Sequence, residues 1–329
     1  MRAVWYERQG PAAEVLRLGE LPTPQAGPRQ VRVRLQASGV NPADCHRRAG
    51  TNFPQEYPRI IPNSDGAGVV DQVGEGADPR WVGKRVWLYN GQRNGRAFGT
   101  AAEYIALAAE LVTELPDDVD VASGATLGIP CMTAHRCVFL AAPVQGRTVL
   151  VTGGAGAVGH YAIQLAKWAG ARVIATVSSA AKAEHARLGG ADDVIDYRSE
   201  DVAARILALT GGVGVDHVVD VDFGGNLPTT LKIMRDSGSI AAYASAGQRL
   251  PTVPVYELMR RNITVHGVLL PTSPPEARRR AQSDITQWLR RGRRLLTVAA
   301  RFPLAETARA HEAVERGDKR GTVVVEPAA

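Results

Sequence analysis

The stretch Val149-Leu150-Val151-Thr152-Gly153-Gly154-Ala155-Gly156-Ala157-Val158-Gly159 decides the fold. Its apolar, β-branched opening predicts a strand, and the glycines predict a tight turn into a helix. Gly154, Gly156 and Gly159 fit G-x-G-x-x-G, a spacing with a mechanical reason. One glycine makes the turn, one lets a pyrophosphate approach the backbone, and one lets the helix touch the strand. The cradle so predicted is Gly154, Ala155, Gly156, Ala157, Val158 and Gly159. A helix from His160 to Ala169 would aim unpaired N–H groups at the phosphate.

Outward from this turn, strand and helix signals alternate. Strands are predicted at Arg172–Val177, Asp193–Tyr197, Val215–Val221, Ser239–Ala244 and Ile263–Leu269, with helices at Ala180–Leu188 and Asp201–Leu209. The alternation predicts an α/β fold with a doubly wound parallel sheet, and six strands complete a dinucleotide fold.

The position roughly 20 residues beyond the glycines selects the dinucleotide, because a carboxylate there binds the ribose 2′-hydroxyl of NAD and repels a 2′-phosphate. The chain instead carries Ser178-Ser179, with Lys182 in the next helix and Tyr197-Arg198 after the third strand. Either cation alone would be read as a solvated surface charge. Loss of the acid together with gain of cations favours a phosphate, so the expected cofactor is NADPH.

At 329 residues the chain exceeds what one core usually supports, and two domains are expected. The net charge of +6 is concentrated in Arg278-Arg279-Arg280, Arg290-Arg291 and Arg293-Arg294 around a helical stretch without interleaved aromatics. That pattern reads as a solvated helix face, and no nucleic acid partner is expected. Cys45, Cys131 and Cys137 offer no disulfide framework. No apolar run reaches a membrane-spanning length, Met1–Trp5 begins a strand, and a cytoplasmic protein without membrane contact is expected.

The first 122 residues read as β-rich. Val31, Val33 and Leu35 alternate with Arg32, Arg34 and Gln36 in a half-buried strand, and Gly66–Val73 and Arg85–Tyr89 add further strands. Gly91–Gly99 reads as a surface loop that could serve as a lid. Pro116-Asp117-Asp118 marks the crossing to helical segments at Val121–Leu127 and Met132–Leu140. After Pro271–Pro275 come a basic helix at Glu276–Arg291, a helix at Ala305–Glu315 and a strand at Gly321–Val325, all expected to return to the first domain. The division drawn is residues 1–122 with 268–329, and 123–267.

Four motifs in order now carry a resemblance. Asn41-Pro42-Ala43-Asp44, Pro62-Asn63-Ser64-Asp65-Gly66-Ala67-Gly68-Val69-Val70, Gly128-Ile129-Pro130-Cys131-Met132-Thr133-Ala134 and the glycine turn resemble the zinc-independent medium-chain reductases, specifically quinone oxidoreductases of the zeta-crystallin type. The resemblance covers nearly the whole chain. It implies a GroES-like β-rich catalytic domain, a Rossmann domain, an interdomain cleft for NADPH and a homodimer.

Zinc alcohol dehydrogenases carry a cysteine where this chain has Asn41, and a histidine and glutamate where it has Ser64 and Asp65. Catalytic zinc needs three Cys, His or carboxylate ligands, so no metal is expected. Short-chain dehydrogenases are disfavoured because Tyr-x-x-x-Lys is absent.

Catalysis would then rest on positioning an electron-poor acceptor against the nicotinamide. Asn41 is the candidate donor to the acceptor carbonyl, or else a turn residue before Pro42. Asp44 is a candidate for orienting that loop or relaying a proton, although capping of the helical turn at His46–Ala49 is the reading its position favours. The resemblance brings Thr133 near the cofactor, Tyr197 near the 2′-phosphate, and Ser245, Gly247, Leu269 and Leu270 to the nicotinamide side.

His46, His135 and His160 lack a partner at fixed spacing. Asn52 beside Phe53 stands where relatives carry a substrate-facing tyrosine, and Thr322 where many carry a lysine, leaving Lys319 or Arg320 to replace it. The expected activity is NADPH-dependent reduction of quinones or α,β-unsaturated carbonyls. The alternatives are an enoyl-thioester reductase and a non-catalytic NADPH-sensing or RNA-associated binding protein. An edge strand at Asn262–Val268 predicts dimerisation with its twin.

Overall fold

The computed structural model describes residues 1–51, 54–93, 95–292 and 294–327. The chain forms two compact units, one of Met1–Pro130 with Leu296–Ala329 and one of Cys131–Leu295. Among the described residues no helix is long and apolar enough to cross a membrane.

The Cys131–Leu295 unit is built on a parallel sheet. Its six strands are Thr148–Val151, Arg172–Val177, Asp193–Asp196, Val215–Asp220, Met234–Ala242 and Thr264–Gly267. They lie in the spatial order third, second, first, fourth, fifth, sixth, and every pairing is parallel. The order reverses beside the first strand, the switch point where open α/β sheets bind ligands at their carboxyl ends. The central strands Thr148–Val151, Arg172–Val177 and Val215–Asp220 are mostly apolar and buried, as a parallel sheet covered on both faces requires. Leu150, Ile174, Ile195, Val218 and Ile240 pack with Leu227, Leu231 and Ile206 in one buried cluster.

Helices run over Ala157–Trp168, Ala180–Leu188, Val202–Leu209, Phe223–Ile233 and Pro275–Arg291. The first begins three residues earlier than its apolar pattern predicts. Gly156 caps it with extended backbone, and Ala157, Val158 and Gly159 are already helical. The fifth strand begins at Met234, earlier than its apolar run, because Ser237 takes a left-handed conformation and the register to Val215–Asp220 shifts there.

The other unit centres on Gln30–Val40. Val31, Val33 and Leu35 point into the core while Arg34 and Gln36 face solvent. This strand pairs antiparallel with Asp65–Val73, with Tyr104–Ala108 and with Thr322–Glu326. Arg85–Leu88 and Val112–Glu114 continue one side, and Val298–Pro303 lies parallel to Thr322–Glu326 on the other. The helix Thr307–Glu315 supplies Ala310, Ala313 and Val314 to a core shared with Val40, Cys45, Val323 and Val325.

Candidate functional site

In the Cys131–Leu295 unit the glycine turn is shaped as its spacing requires. Gly153 has φ 65°, a left-handed value costly for a side chain. A Cβ on Gly159 would stand 2.3 Å from the Gly153 carbonyl oxygen, so helix and turn could not close. A Cβ on Gly156 would meet that oxygen at 3.3 Å. Ala155 is buried, and Ala157 and Val158 form the first turn of the helix.

The second strand is followed by Ser178, which is buried, and Ser179, whose hydroxyl caps the helix Ala180–Leu188 by accepting from Lys182 N. Lys182 Nζ turns back and donates to Ser178 Oγ at 3.1 Å. An ammonium and two hydroxyls thus stand together where an NAD-selecting carboxylate would be. Tyr197 follows the third strand with its ring half exposed.

The carboxyl end of the fourth strand holds a residue that sequence reasoning missed. Fully buried Asp220 accepts through Oδ1 from Thr152 Oγ1 at 2.9 Å, Asn226 Nδ2 at 2.7 Å and the Asp222 N–H at 3.0 Å. Thr152 Oγ1 in turn accepts the Val221 N–H. The glycine turn and the loop after the fourth strand are therefore tied to one carboxyl. Asp222 accepts the Gly247 N–H at 2.9 Å, and Ser245 Oγ donates to Gln248 O and accepts the Gly224 N–H. Leu269 is exposed while Leu270 is buried. Thr133 is buried within the helix Met132–Phe139.

In the other unit, Asn41 begins the helix Pro42–Ala49. Pro42 suits the first helical turn, and Asp44, third in the helix, accepts the Asn41 backbone N–H at 2.9 Å. Asp44 thus serves the start of a longer helix than the expected turn at His46–Ala49. Its other oxygen accepts Ser64 Oγ at 2.8 Å and lies 3.6 Å from the Arg93 guanidinium. Asn41 Nδ2 donates to Asp65 Oδ2 at 2.7 Å.

Asp65 also receives the Ile129 N–H, an approach that needs Gly128 because a Cβ there would stand 2.2 Å from Asp65 Oδ1. Burial, with Asp44 adding to it, pushes the Asp65 carboxyl up to about 8. Asn63 precedes this pair at φ 71°, held by a hydrogen bond between His311 Nε2 and its Oδ1 at 2.9 Å and by donation of its Nδ2 to Ser38 Oγ at 3.0 Å.

One expectation changes here. The segment Gly91–Arg93 is buried, not a surface loop. Gly91 N–H donates to Ser64 O at 2.7 Å, and Arg93, with its charge disfavoured by burial, sits against Asp44. Nothing in the sequence marked Arg93 or Asp65 as partners, because their contacts span distant segments. Asn52 and Phe53 lie outside the described residues. His46 is exposed, and His135 and His160 are buried against Asp284 Oδ2 and Leu295 O respectively. Thr322 is buried in its strand, while Lys319 Nζ donates to Gly321 O.

Among the described residues no group of three or more His, Cys, Asp or Glu is arranged to hold a metal ion. Asn41 and Ser64, poor zinc ligands by type, are both hydrogen-bonded to carboxyls.

The alcohol dehydrogenase GroES-like domain family model matches residues 27–117, and the zinc-binding dehydrogenase family model matches residues 157–287. Quinone oxidoreductase from Homo sapiens is 30% identical over 322 residues, 96% of this chain and 94% of that protein. The chain belongs to the quinone oxidoreductase family. Within that zinc-independent group of medium-chain reductases, the solved Escherichia coli quinone oxidoreductase complexed with NADPH superposes with a TM-score of 0.87 at 25% identity. It covers 99% of this chain and 100% of its own. The 2-haloacrylate reductase of Burkholderia sp is 32% identical over 342 residues, covering 100% of this chain and 99% of its own.

Proposed function

We propose that this chain is an NADPH-dependent oxidoreductase that passes hydride to quinones or related α,β-unsaturated carbonyls without a metal ion. The observation that carries the reading is the hydrogen bond from Lys182 to Ser178, which supplies positive charge and hydroxyls beside the glycine cradle. The residues fit the cofactor. Gly156 leaves room for a pyrophosphate, the helix from Ala157 offers its N-terminus, and Ser178, Ser179, Lys182 and Tyr197 suit a 2′-phosphate. Ser245, Gly247, Leu269 and Leu270 would line the nicotinamide side, with Thr133.

When bound, the nicotinamide supplies a hydride. Asn41 would give its second amide hydrogen to the acceptor carbonyl, where negative charge develops. Asp44 would hold the loop through Ser64 and the Asn41 backbone, and water would deliver the proton. The test is NADPH oxidation followed by absorbance with 9,10-phenanthrenequinone, repeated with NADH. Turnover that favours NADPH supports the reading. Tight NADPH binding without turnover of any quinone or enone would favour a binding role instead.

A cytoplasmic homodimer goes with this reading. Three free, buried cysteines accord with a reducing compartment. Among the described residues Thr264–Gly267 is paired on one side only, and Val255, Tyr256 and Met259 of the adjoining helix are exposed, which supports pairing with a twin strand. The basic helix Pro275–Arg291 spends Arg278 on the Pro271 and Ser273 carbonyls and Arg280 on Asp284, which favours a solvated face over nucleic acid.

A further inference from the structure

Within the Cys131–Leu295 unit, the helices Ala157–Trp168, Ala180–Leu188 and Pro275–Arg291 bring their C-terminal ends together around a cavity of about 440 Å³. That volume suits a small molecule. The cavity lies at the far end of the helix that starts at the glycine cradle, about 16 Å along its axis, which sets it apart from the pyrophosphate position.

Trp168 and Leu188 form an apolar wall and stay 39% and 54% exposed, although both are large and hydrophobic. Trp288 is the opposite case, only 1% exposed and edge-on to Tyr161. A buried indole N–H ordinarily has an acceptor. The Trp288 Nε1–H makes no hydrogen bond among the described residues, and it is not sealed in as that of Trp87 is. Gly292 keeps it uncovered, because a Cβ there would stand 2.7 Å from Trp288 Cδ1 and 3.0 Å from Nε1. The Gly292 backbone is extended, with φ −89°, so it is space and not conformation that asks for glycine.

The other polar groups around the cavity are engaged. Lys167 Nζ donates to both oxygens of Asp192 at 2.8 Å, and Arg294 Nη1 caps the helix Pro275–Arg291 by donating to Leu289 O. Buried Gln164 donates from Nε2 to Leu295 O at 3.0 Å and accepts the Leu295 N–H at 2.7 Å, which holds that wall in place. Among the described residues no carboxyl lines the cavity, and two cations beside it disfavour a positively charged guest. An anion would meet cations that already have partners. What is left is an aromatic surface with a single donor.

We infer that this cavity binds a planar aromatic compound carrying a carbonyl oxygen, a ketone or a quinone, with its ring against Trp168 and Leu188 and the oxygen on Trp288 Nε1. Indole faces favour a flat aromatic guest over an aliphatic one, and the indole N–H is a donor only, so it selects an acceptor. The inference does not depend on which compound takes the hydride.

The test uses the full chain saturated with NADPH and labelled with nitrogen-15 at tryptophan. Trp168 and Trp288 lie in this unit, while Trp5, Trp81 and Trp87 lie in the other and serve as internal controls. 1-Indanone, a planar aromatic ketone, should move the Trp288 indole N–H signal downfield and shift that of Trp168, leaving the other three in place. Indane, the same skeleton without the oxygen, should bind about threefold more weakly or worse, the loss of one neutral hydrogen bond, and should not move the Trp288 proton downfield. Trp288→Phe should bring the two affinities together. Trp168→Ala alters a side chain already partly in solvent and should weaken both probes, and Gly292→Ala should abolish the Trp288 response to 1-indanone.

No response of Trp288 to millimolar 1-indanone would overturn the inference, and so would equal shifts of all five indole signals or equal affinity for the two probes. If Trp288→Phe or Gly292→Ala does not fold, the comparison of probes on the wild type and Trp168→Ala still decides. Quinone turnover plays no part in this readout, so its outcome is independent of the NADPH-oxidation assay.

Discussion

Lys182 Nζ and Ser178 Oγ are joined at 3.1 Å, a cation folded back from a helix onto the hydroxyl that ends the second strand. Both groups gain a new partner if a 2′-phosphate enters between the strand and the helix. Removing the ammonium by Lys182→Ala should weaken NADPH about tenfold, the lower end of a charge-assisted hydrogen bond at a partly solvated site. NADH should change less than twofold. Fluorescence titration of both dinucleotides checks this, and equal losses for the two would disprove it.

Glycines 156 and 159 should separate binding from folding. The Cβ of Gly159→Ala would meet backbone at 2.3 Å, and backbone cannot yield as a flexible side chain does. That variant should lose about 2 kcal/mol or more, in the range of overpacked cores, and melt several degrees lower. Gly156→Ala, with its contact at 3.3 Å, should keep its melting temperature and lose NADPH affinity.

Asp220 should be worth more to the fold than its silence in the sequence suggests. Asp220→Ala takes an acceptor from Asn226 Nδ2 and the Asp222 N–H and leaves Thr152 Oγ1 only its longer contact to Val219 O. Unsatisfied buried groups cost about 1–3 kcal/mol each, partly relieved if water enters the space. A urea midpoint unchanged from wild type would contradict this assignment.

Acid should destabilise both units through histidine. Burial lowers His311 to about 3 and, with His185 nearby, His160 to about 4, against an ordinary 6.5. The unfolded chain therefore takes up protons first as pH falls. Stability is full above about pH 6.5 and is lost towards pH 4 and below, at about 1.4 kcal/mol per pH unit for each histidine. Urea unfolding at descending pH should show this slope, shallower in His311→Gln. Asp65 works in the opposite sense, its contribution being complete under acid conditions and lost as pH rises through about 8.

Met259→Glu and Tyr256→Glu place charge on an exposed apolar helix face beside the edge strand. If that face joins twin subunits, light scattering should report a shift from dimer to monomer with NADPH binding retained. A wild type that is already monomeric at micromolar concentration would refute the dimer.

The parallel sheet was legible in the sequence because its central strands, Thr148–Val151, Arg172–Val177 and Val215–Asp220, are mostly apolar and β-branched and are bounded by glycine and polar turns. Arg172–Val177 and the helix Ala180–Leu188 agree residue for residue with their patterns. Periodicity could not show that Ser237 would turn left-handed and lengthen the fifth strand. The glycine cradle and the Ser178–Lys182 pair were readable because they are local. The acceptor-side cluster was only half readable. Asn41 and Asp44 announce a helix start, but Asp65, Arg93 and His311 reach it from across the chain, and no local spacing encodes such convergence.

The strand Thr322–Glu326 lies between Val298–Pro303 and Gln30–Val40, opposite Val40, Gly39 and Ser38. During synthesis on the ribosome, the edge of Gln30–Val40 stays open until that late segment emerges. The Cys131–Leu295 unit, whose strands are contiguous in the chain, has all its material earlier. Maturation is therefore ordered by translation, with the dinucleotide-type sheet able to assemble before its neighbour closes. Loss of the strand Thr322–Glu326 would leave a sticky sheet margin and invite aggregation.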